Sequence, residues 1–232
     1  MKKTILFLFS ISMATGVFSQ DNICESSYMP FKSGTSFELT NYDKKGKETS
    51  KVRHSVSSLE AVNSSFNATV EMETFDAKGK SIQKGTYSME CRDGVIYMDM
   101  SAMLDPRSMQ GFKDMEMELS GDALQFPNKL TPGETLPDGT LQMKASTGGL
   151  ALMSMNMTIS DRKVEAAETV TTAAGTFDCM KISQESEMKT IVKIKSKTAT
   201  WYAKGVGMVK SVNYDSKGNM EGSTVLTKFE KG

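Results

Sequence analysis

The sequence predicts a mainly β protein whose antiparallel sheet is built from long hairpins. Three short segments share one pattern, aromatic, Asp, any residue, Lys, Gly and polar: Tyr42–Lys47, Phe75–Lys80 and Tyr214–Asn219. The Asp side chain favours a type I turn, and Gly accepts the left-handed conformation that closes a hairpin. The flanking segments alternate polar and apolar residues, which is the period of a half-buried strand.

The alternation continues along most of the chain and predicts its strands in order. In residues 66–73, for example, every even-numbered residue is apolar and every odd-numbered residue is polar. The predicted strands cover residues 35–40, 49–56, 66–75, 80–90, 95–100, 115–119, 140–146, 151–160, 162–171, 176–187, 190–202, 208–214 and 222–229.

Signals for helix are few, and at most one or two short helices are expected. Asp105 followed by Pro106 is typical of a helix N-terminus and predicts a short helix over residues 106–111. Proline lacks the N–H that a sheet ladder needs, so a proline-rich stretch is expected to be a crossing loop or a sheet edge. Its prolines are Pro127, Pro132 and Pro137.

The N-terminus has the pattern of an export signal. Lys2 and Lys3 precede a short apolar run, and a small residue lies at Ser19, so residues 1–19 are predicted to be a signal peptide. The run is too short to span a bilayer. We therefore expect residues 20–232 to form a single exported domain, periplasmic or secreted, with no transmembrane segment.

The charge balance limits the classes of partner. The chain has 28 basic and 28 acidic residues, and loss of Lys2 and Lys3 leaves 26 basic residues. This near-neutral balance argues against nucleic acid and against an anionic membrane surface as the main partner.

Methionine is the outstanding excess, with 19 residues in the chain. Several lie two apart, and residues i and i+2 of a strand face the same way. The rows are Met98 and Met100, Met115 and Met117, and Met153, Met155 and Met157. Thioethers suit Cu(I), so a copper carrier is one interpretation. The favoured one is that these rows line a core or cavity, because methionine fills irregular cores and adaptable binding surfaces.

No catalytic constellation or cofactor motif is present, and the chain is not expected to be an enzyme. The one histidine, His54, follows Arg53 in a polar strand and is expected at the surface. A serine-nucleophile elbow is missing, and the cysteines are too far apart in sequence for a usual zinc site. We therefore predict neither a metal site nor a cofactor.

Three cysteines in an oxidising compartment favour one disulfide and one buried thiol. We pair Cys24, on a tail that needs fastening, with Cys91, which leaves Cys179 at the start of a strand. A row of lysines could meet an anionic partner, but a solubilising edge strand is the favoured interpretation. The row consists of Lys193, Lys195 and Lys197.

The C-terminal third resembles a known group of proteins. The similar blocks are Asp161–Val164, Glu168–Cys179 and Trp201–Lys210, and the Cys91–Val95 segment and the Tyr214 hairpin fit as well. They resemble an uncharacterised family of secreted bacterial β proteins, sometimes labelled TapB-like, over most of the mature chain. The family has no established active site to carry over.

The resemblance implies a long antiparallel sheet curled into a half-barrel, similar to the LolA/LolB-like lipoprotein carriers, which hold an acyl chain in the concave face. The methionine rows are then candidate ligand-lining residues, with Trp201 near one end, although Trp201 is expected first of all to anchor the core. Two functions remain: a non-enzymatic binding protein for a lipid or other apolar ligand, and an envelope interaction or structural module without a small-molecule ligand. Copper binding is a third, less favoured alternative.

Overall fold

The structure is a computed structural model that describes residues 23–62, 65–100 and 115–232. Within these residues, one turn of 3-10 helix, Ile23–Ser26, precedes thirteen strands. The strands are β1 (Ser36–Asp43), β2 (Glu48–Val62), β3 (Ser65–Asp76), β4 (Ser81–Arg92), β5 (Val95–Met98), β6 (Glu116–Ser120), β7 (Leu124–Pro127), β8 (Gly139–Thr147), β9 (Leu150–Thr172), β10 (Gly175–Lys189), β11 (Lys193–Ala203), β12 (Gly207–Asp215) and β13 (Met220–Glu230). The predicted signal peptide (residues 1–19) and short helix (residues 106–111) lie outside the described residues.

The strands form one antiparallel sheet that does not close, in the order β6-β8-β9-β10-β11-β12-β13-β1-β2-β3-β4-β5-β7. The predicted turns join β1 to β2, β3 to β4 and β12 to β13. In the first turn, Asp43 Oδ1 accepts hydrogen bonds from the backbone N–H groups of Lys45 (2.8 Å) and Lys47 (2.9 Å). The other two turns repeat this pattern at Asp76 and Asp215. The predicted mainly β, hairpin-rich class is confirmed.

The longest strand, β9, covers two segments that the sequence predicts as separate strands. Ser160 pairs with Glu185 and Lys163 pairs with Ser183, so Asp161 and Arg162 together face a single residue, Gln184. Asp161 has a φ of 51°, which marks this bulge. The bulge changes which residues face inward without ending the strand.

The sheet curls until its edge strand β7 lies beside β8 and β9. The guanidinium of Arg162 on β9 donates a hydrogen bond to the carbonyl oxygen of Gln125 on β7, at 3.0 Å. The backbone N–H of Thr140 on β8 donates to the carbonyl oxygen of Asp122, at 3.2 Å. Pro127 ends the outermost strand, and Pro132 and Pro137 lie in the loop that leads to β8. The sheet edge and crossing loop expected from these prolines are both present.

The predicted edge strand with the lysine row is wrong, because β11 lies between β10 and β12 inside the sheet. The lysines face glutamates on the neighbouring strand β10. Glu187 accepts ion pairs from Lys193 (2.8 Å) and Lys195 (3.5 Å), and Glu185 pairs with Lys197 (2.7 Å). The row is therefore half of a cross-strand charge ladder.

Two apolar clusters hold the sheet together. The larger cluster, which we call the methionine cluster, joins strands β2–β5 and β7 to strands β8–β10. The smaller cluster contains Phe37, Leu39, Trp201 and Val209 among others. In the described part of the chain, no helix has the length and apolar character needed to cross a membrane.

Candidate functional site

The curl of the sheet brings most of the predicted methionine rows into one cluster. Met100, Met155 and Met157 are buried members of this cluster, and Met98, Met117 and Met153 are half-buried and pack against it. Met115 is half-buried at the start of β6. Rows from β5, β6 and β9 therefore meet because the two ends of the sheet approach each other.

Other methionines of the cluster were not singled out from the sequence, and two of them are almost fully buried on strands. Met89 on β4 and Met143 on β8 are each 1 % exposed. Met89 pairs across the ladder with Met98, and Met143 pairs with Met155. The signal was present in principle, since both lie at inward positions of alternating strands, but neither belongs to a Met-x-Met pair.

Trp201 does not join the methionine rows, although the sequence places it near one end of them. Neighbouring residues of a strand point to opposite faces. Tyr202 packs against the methionine cluster, whereas Trp201 belongs to the smaller cluster. Its indole N–H donates to Glu168 (2.6 Å), and the ammonium groups of Lys181 and Lys210 lie 5.1 and 5.0 Å from the ring centroid. This environment fits the anchoring role.

The polar neighbours of Trp201 affect one another electrostatically. The indole N–H holds the pKa of the Glu168 carboxyl below its usual value, and Lys181 and Lys210 add to this effect. Lys181 also forms an ion pair with Glu168, with 3.5 Å between Nζ and Oε1. Trp201 is thus held by a hydrogen bond and by two cation–π contacts.

An open cavity of about 330 Å³ borders the methionine cluster. Met100 and Leu141 belong to both, so the cavity leads directly onto buried apolar side chains. Leu119 and Tyr97 also line it, while Glu90 and Asp122 place carboxylates at its rim. The cavity therefore has an apolar floor and a polar, acidic rim.

A glycine brings the cavity floor close to the backbone of β8. A Cβ on Gly139 would lie 2.8 Å from Met100 Sδ and 2.9 Å from Leu124 Cδ1. Both distances are shorter than van der Waals contact. Any larger residue at this position would force the ends of the Met100 and Leu124 side chains to shift.

Arg162 is a second feature that the sequence did not single out. Its side chain is fully buried, and its Nη1 donates to the carbonyl oxygens of Gln125 (3.0 Å) and Pro137 (2.7 Å). The guanidinium carbon lies 5.0 Å from the centroid of the Phe126 ring, which packs against Tyr202. Arg162 thus lies within the methionine cluster.

His54 is buried, so the prediction of a surface histidine is wrong. Its ring stacks on Phe37, and its Nδ1 lies 3.4 Å from the hydroxyl oxygen of Tyr87. Burial lowers the pKa of His54 to about 4 and raises the pKa of Tyr87. The ring packs against side chains from β1 and β4, two strands whose positions around β2 the local sequence does not reveal.

The structure contains a disulfide between Cys24 and Cys91, the pair chosen from the sequence. It fastens the N-terminal segment to β4. Cys179 is buried, its thiol lies 3.5 Å from the carbonyl oxygen of Phe177, and burial raises its pKa to about 11. A thiol with so high a pKa is a poor nucleophile. Among the described residues, no group of three or more His, Cys, Asp or Glu side chains could hold a metal ion.

Solved structures of two bacterial proteins have a similar fold. A Bacteroides fragilis protein, described as exported with a YmcC-like fold, is 26 % identical, with a TM-score of 0.73 over 89 % of this chain and 100 % of that one. A Parabacteroides distasonis protein described as a lipoprotein is 21 % identical, with a TM-score of 0.73 over 88 % of this chain and 99 % of that one. The second likeness concerns the fold alone.

Curated proteins offer no functional parallel, because none of them matches the sequence. The DUF3108-like family, in contrast, matches residues 32–226, which is nearly all of the sheet. The chain therefore belongs to the DUF3108-like family.

Proposed function

We propose that this protein is an exported, non-enzymatic binding protein that holds an apolar ligand, such as a lipid, against the methionine cluster. Its structural relatives are described as exported or as lipoproteins, which supports an envelope or extracellular role, periplasmic or secreted. The resemblance of the sequence blocks to TapB-like proteins implies a half-barrel like that of the LolA/LolB-like carriers, and this expectation is the reason for choosing an acyl chain as the ligand.

The observation that carries the proposal is the contact between the open cavity and the methionine cluster. Met100 and Leu141 form the floor of the cavity and also pack within the cluster. Methionine is unbranched and changes rotamer at low cost, so a methionine-rich core adapts to a flexible chain better than a core of branched residues. A ligand would extend the cavity by displacing these side chains.

The experiment measures displacement of a fluorescent fatty-acid probe by unlabelled lipid. Leu119 lines the cavity and is 46 % exposed, so Leu119→Lys places a charge beside the apolar floor without burying it. Leu152 is 54 % exposed on β9 and does not line this cavity, which makes Leu152→Lys the matched control. We expect Leu119→Lys to weaken binding about tenfold, as the cost of desolvating an ammonium predicts.

The control variant is expected to bind the probe as the unsubstituted protein does. Lack of saturable binding in the unsubstituted protein would refute the proposal. Equal weakening by both substitutions would also refute it, because the probe would then be responding to general surface charge.

A second candidate function is favoured by a separate observation. Five large apolar residues are exposed near the β8–β9 and β10–β11 turns: Leu150, Leu152, Ile191, Val192 and Ile194. The strands that carry or flank these residues, β9, β10 and β11, are neighbours in the sheet, and large exposed apolar patches are typical of interaction sites. An envelope interaction module would bind its partner through this surface. Leu152→Lys would then abolish binding of the partner and Leu119→Lys would not, which is the reverse of the result expected for lipid binding.

A further inference from the structure

Arg162 has a buried positive charge without an ion-pair partner among the described residues. A guanidinium keeps its proton in proteins, and an uncompensated buried charge is strongly unfavourable. Burial lowers the pKa of Arg162, while Tyr202 and Asp138 oppose this change. Asp138 is exposed and forms no ion pair with the guanidinium. Two carbonyl oxygens and the Phe126 ring face this charge, but no carboxylate of the described residues forms an ion pair with it.

Two nitrogen atoms of the Arg162 guanidinium lack hydrogen-bond partners and lie on the same side of the group. Nε and Nη2 are buried and have no hydrogen-bond partner, whereas Nη1 donates to two carbonyl oxygens. The Nε–H and Nη2–H bonds point to the same side of the planar guanidinium. This side is the fork that binds both oxygens of a carboxylate in parallel.

A purely structural role explains only part of this arrangement. The two bonds from Nη1 tie the edge strand β7 and the proline loop to β9, and they use one nitrogen of three. Leaving Nε and Nη2 without partners in the core is costly, since buried polar groups in proteins are nearly always hydrogen-bonded. A side chain with fewer hydrogen-bond donors would be sufficient to hold β7 and the proline loop against β9.

The bulge in β9 aligns Arg162 with the methionine row. Met153, Met155, Met157 and Ile159 face the cluster, and after the bulge the inward positions become Arg162 and Val164. At about 3.3 Å per residue, Met157 lies roughly 16 Å from Arg162 along the strand. An apolar row that ends at a buried cation is complementary to a fatty acid, which has an apolar chain and an anionic head group.

We infer that Arg162 binds the head group of the ligand, which is therefore an acidic amphiphile with a carboxylate or similar oxyanion on an acyl chain. This inference rests on the proposed function, since both use the methionine cluster. The head group would accept hydrogen bonds from Nε and Nη2, and the chain would lie along the methionine row. Arg162 is fully covered, so a ligand reaches it only when neighbouring side chains move.

The test compares decanoic acid with decanol, which share a chain and differ in the head group, by displacement of a neutral fluorescent probe. The unsubstituted protein should bind the acid at least about tenfold more tightly, because bidentate charged hydrogen bonds form only with the acid. Decyl phosphate is the third ligand: binding as tight as that of the acid would identify a phosphate head group as an equal source of the oxyanion.

The variants separate the fork from general charge. Arg162→Met keeps an apolar side chain in the core and should bind the acid and the alcohol equally, with the affinity for the alcohol retained. Lys163→Met removes an exposed charge next to it in sequence and should leave the preference for the acid unchanged. Arg162→Lys keeps the charge without the fork and should lose most of the preference.

The outcomes distinguish this inference from the proposed function. Binding of both ligands with equal affinity by the unsubstituted protein would overturn the role of Arg162 and leave apolar binding intact. This result needs no variant to fold. A preference for the acid that survives in Arg162→Met would overturn it as well. Failure of every ligand to bind would overturn both proposals together.

Discussion

The ring of His54 lies face to face with the ring of Phe37, with 4.6 Å between the centroids and 10° between the planes. The ring of Tyr87 also contacts His54, edge-on, with 5.9 Å between the two ring centroids. His54 is 8 % exposed and lies among apolar and aromatic groups, so the neutral imidazole is favoured. The pair links β1 to β2 through side chains in addition to the ladder.

Stability should fall as the pH falls through the range set by His54. Its pKa is about 4 in the folded protein and about 6.5 when unfolded, so between these values the unfolded chain binds more protons. The contribution of His54 to the free energy of unfolding should therefore be fully present above about pH 6.5. It should be smaller by about 3 kcal/mol at pH 4. Urea unfolding at pH 7.5 and pH 4 measures this change.

The control is His54→Phe, which keeps a flat ring against Phe37 and removes the titrating group. His54 is the only histidine in the chain, so the carboxylates common to both proteins cancel when their pH profiles are subtracted. A profile in His54→Phe as steep as that of the unsubstituted protein would contradict the burial of the imidazole.

The disulfide should make a large contribution to stability. Cys24 and Cys91 are 67 residues apart, and closing a loop of that length restricts the unfolded chain by about 4 kcal/mol in the chain-entropy account. Replacing both with Ser should lower the free energy of unfolding by this order. The denatured, unreduced protein should contain one reactive thiol, that of Cys179, and this thiol should react slowly in the native state. A disulfide-linked peptide that joins Cys179 to Cys24 or Cys91 would contradict the pairing.

The turn glycines should be sensitive to substitution although a side chain at these positions would have open space around it. Gly46, Gly79 and Gly218 have φ values of 76°, 80° and 86°, and a Cβ at any of them would meet no atom within 4 Å. Each Gly→Val substitution should cost about 1 kcal/mol or more, entirely from backbone strain. Lys78→Ala in the second turn is the control and should change little; equal melting temperatures for all these variants would contradict the left-handed conformation.

Cu(I) should not form a tight stoichiometric complex with the reduced protein. Met100, Met155 and Met157 are buried among the apolar side chains of the methionine cluster. Ligating a metal would require them to leave this packing, so the affinity should not exceed that of a methionine-rich peptide. A tight one-to-one complex in a competition titration, lost in a Met153→Leu, Met155→Leu and Met157→Leu triple variant, would instead support the copper alternative.

The local sequence pattern was sufficient to predict the hairpins and the inward-facing methionines. The Asp and Gly of each turn act through bonds within five residues, and alternation fixes which side chains share a face of one strand. The sequence also contained the break at Asp161, where it predicts the end of one strand and the start of another. A bulge and a strand end look alike in sequence, because both interrupt the alternation.

The remaining features depend on contacts between distant strands. Burial of His54 on β2 requires Phe37 on the neighbouring strand β1 and Tyr87 on β4, which lies beyond β3. The lysine row lies in the sheet interior because β12 pairs with β11. Arg162 turns inward only because the bulge shifts the register. Alternation also cannot tell which of two faces meets the methionine cluster, which is why Trp201 was placed with the wrong group of residues.

The most direct test of ligand binding in the methionine cluster is nuclear magnetic resonance of protein labelled with ¹³C at the methionine methyl groups, titrated with decanoic acid. Each methyl reports on its own surroundings, and single Met→Leu variants assign the signals. We expect saturable shifts of the signals of Met100, Met143 and Met155 at one common dissociation constant, with no change in the signal of exposed Met220. Signals of the buried methionines that stay in place throughout the titration, or that move no more than Met220, would contradict it.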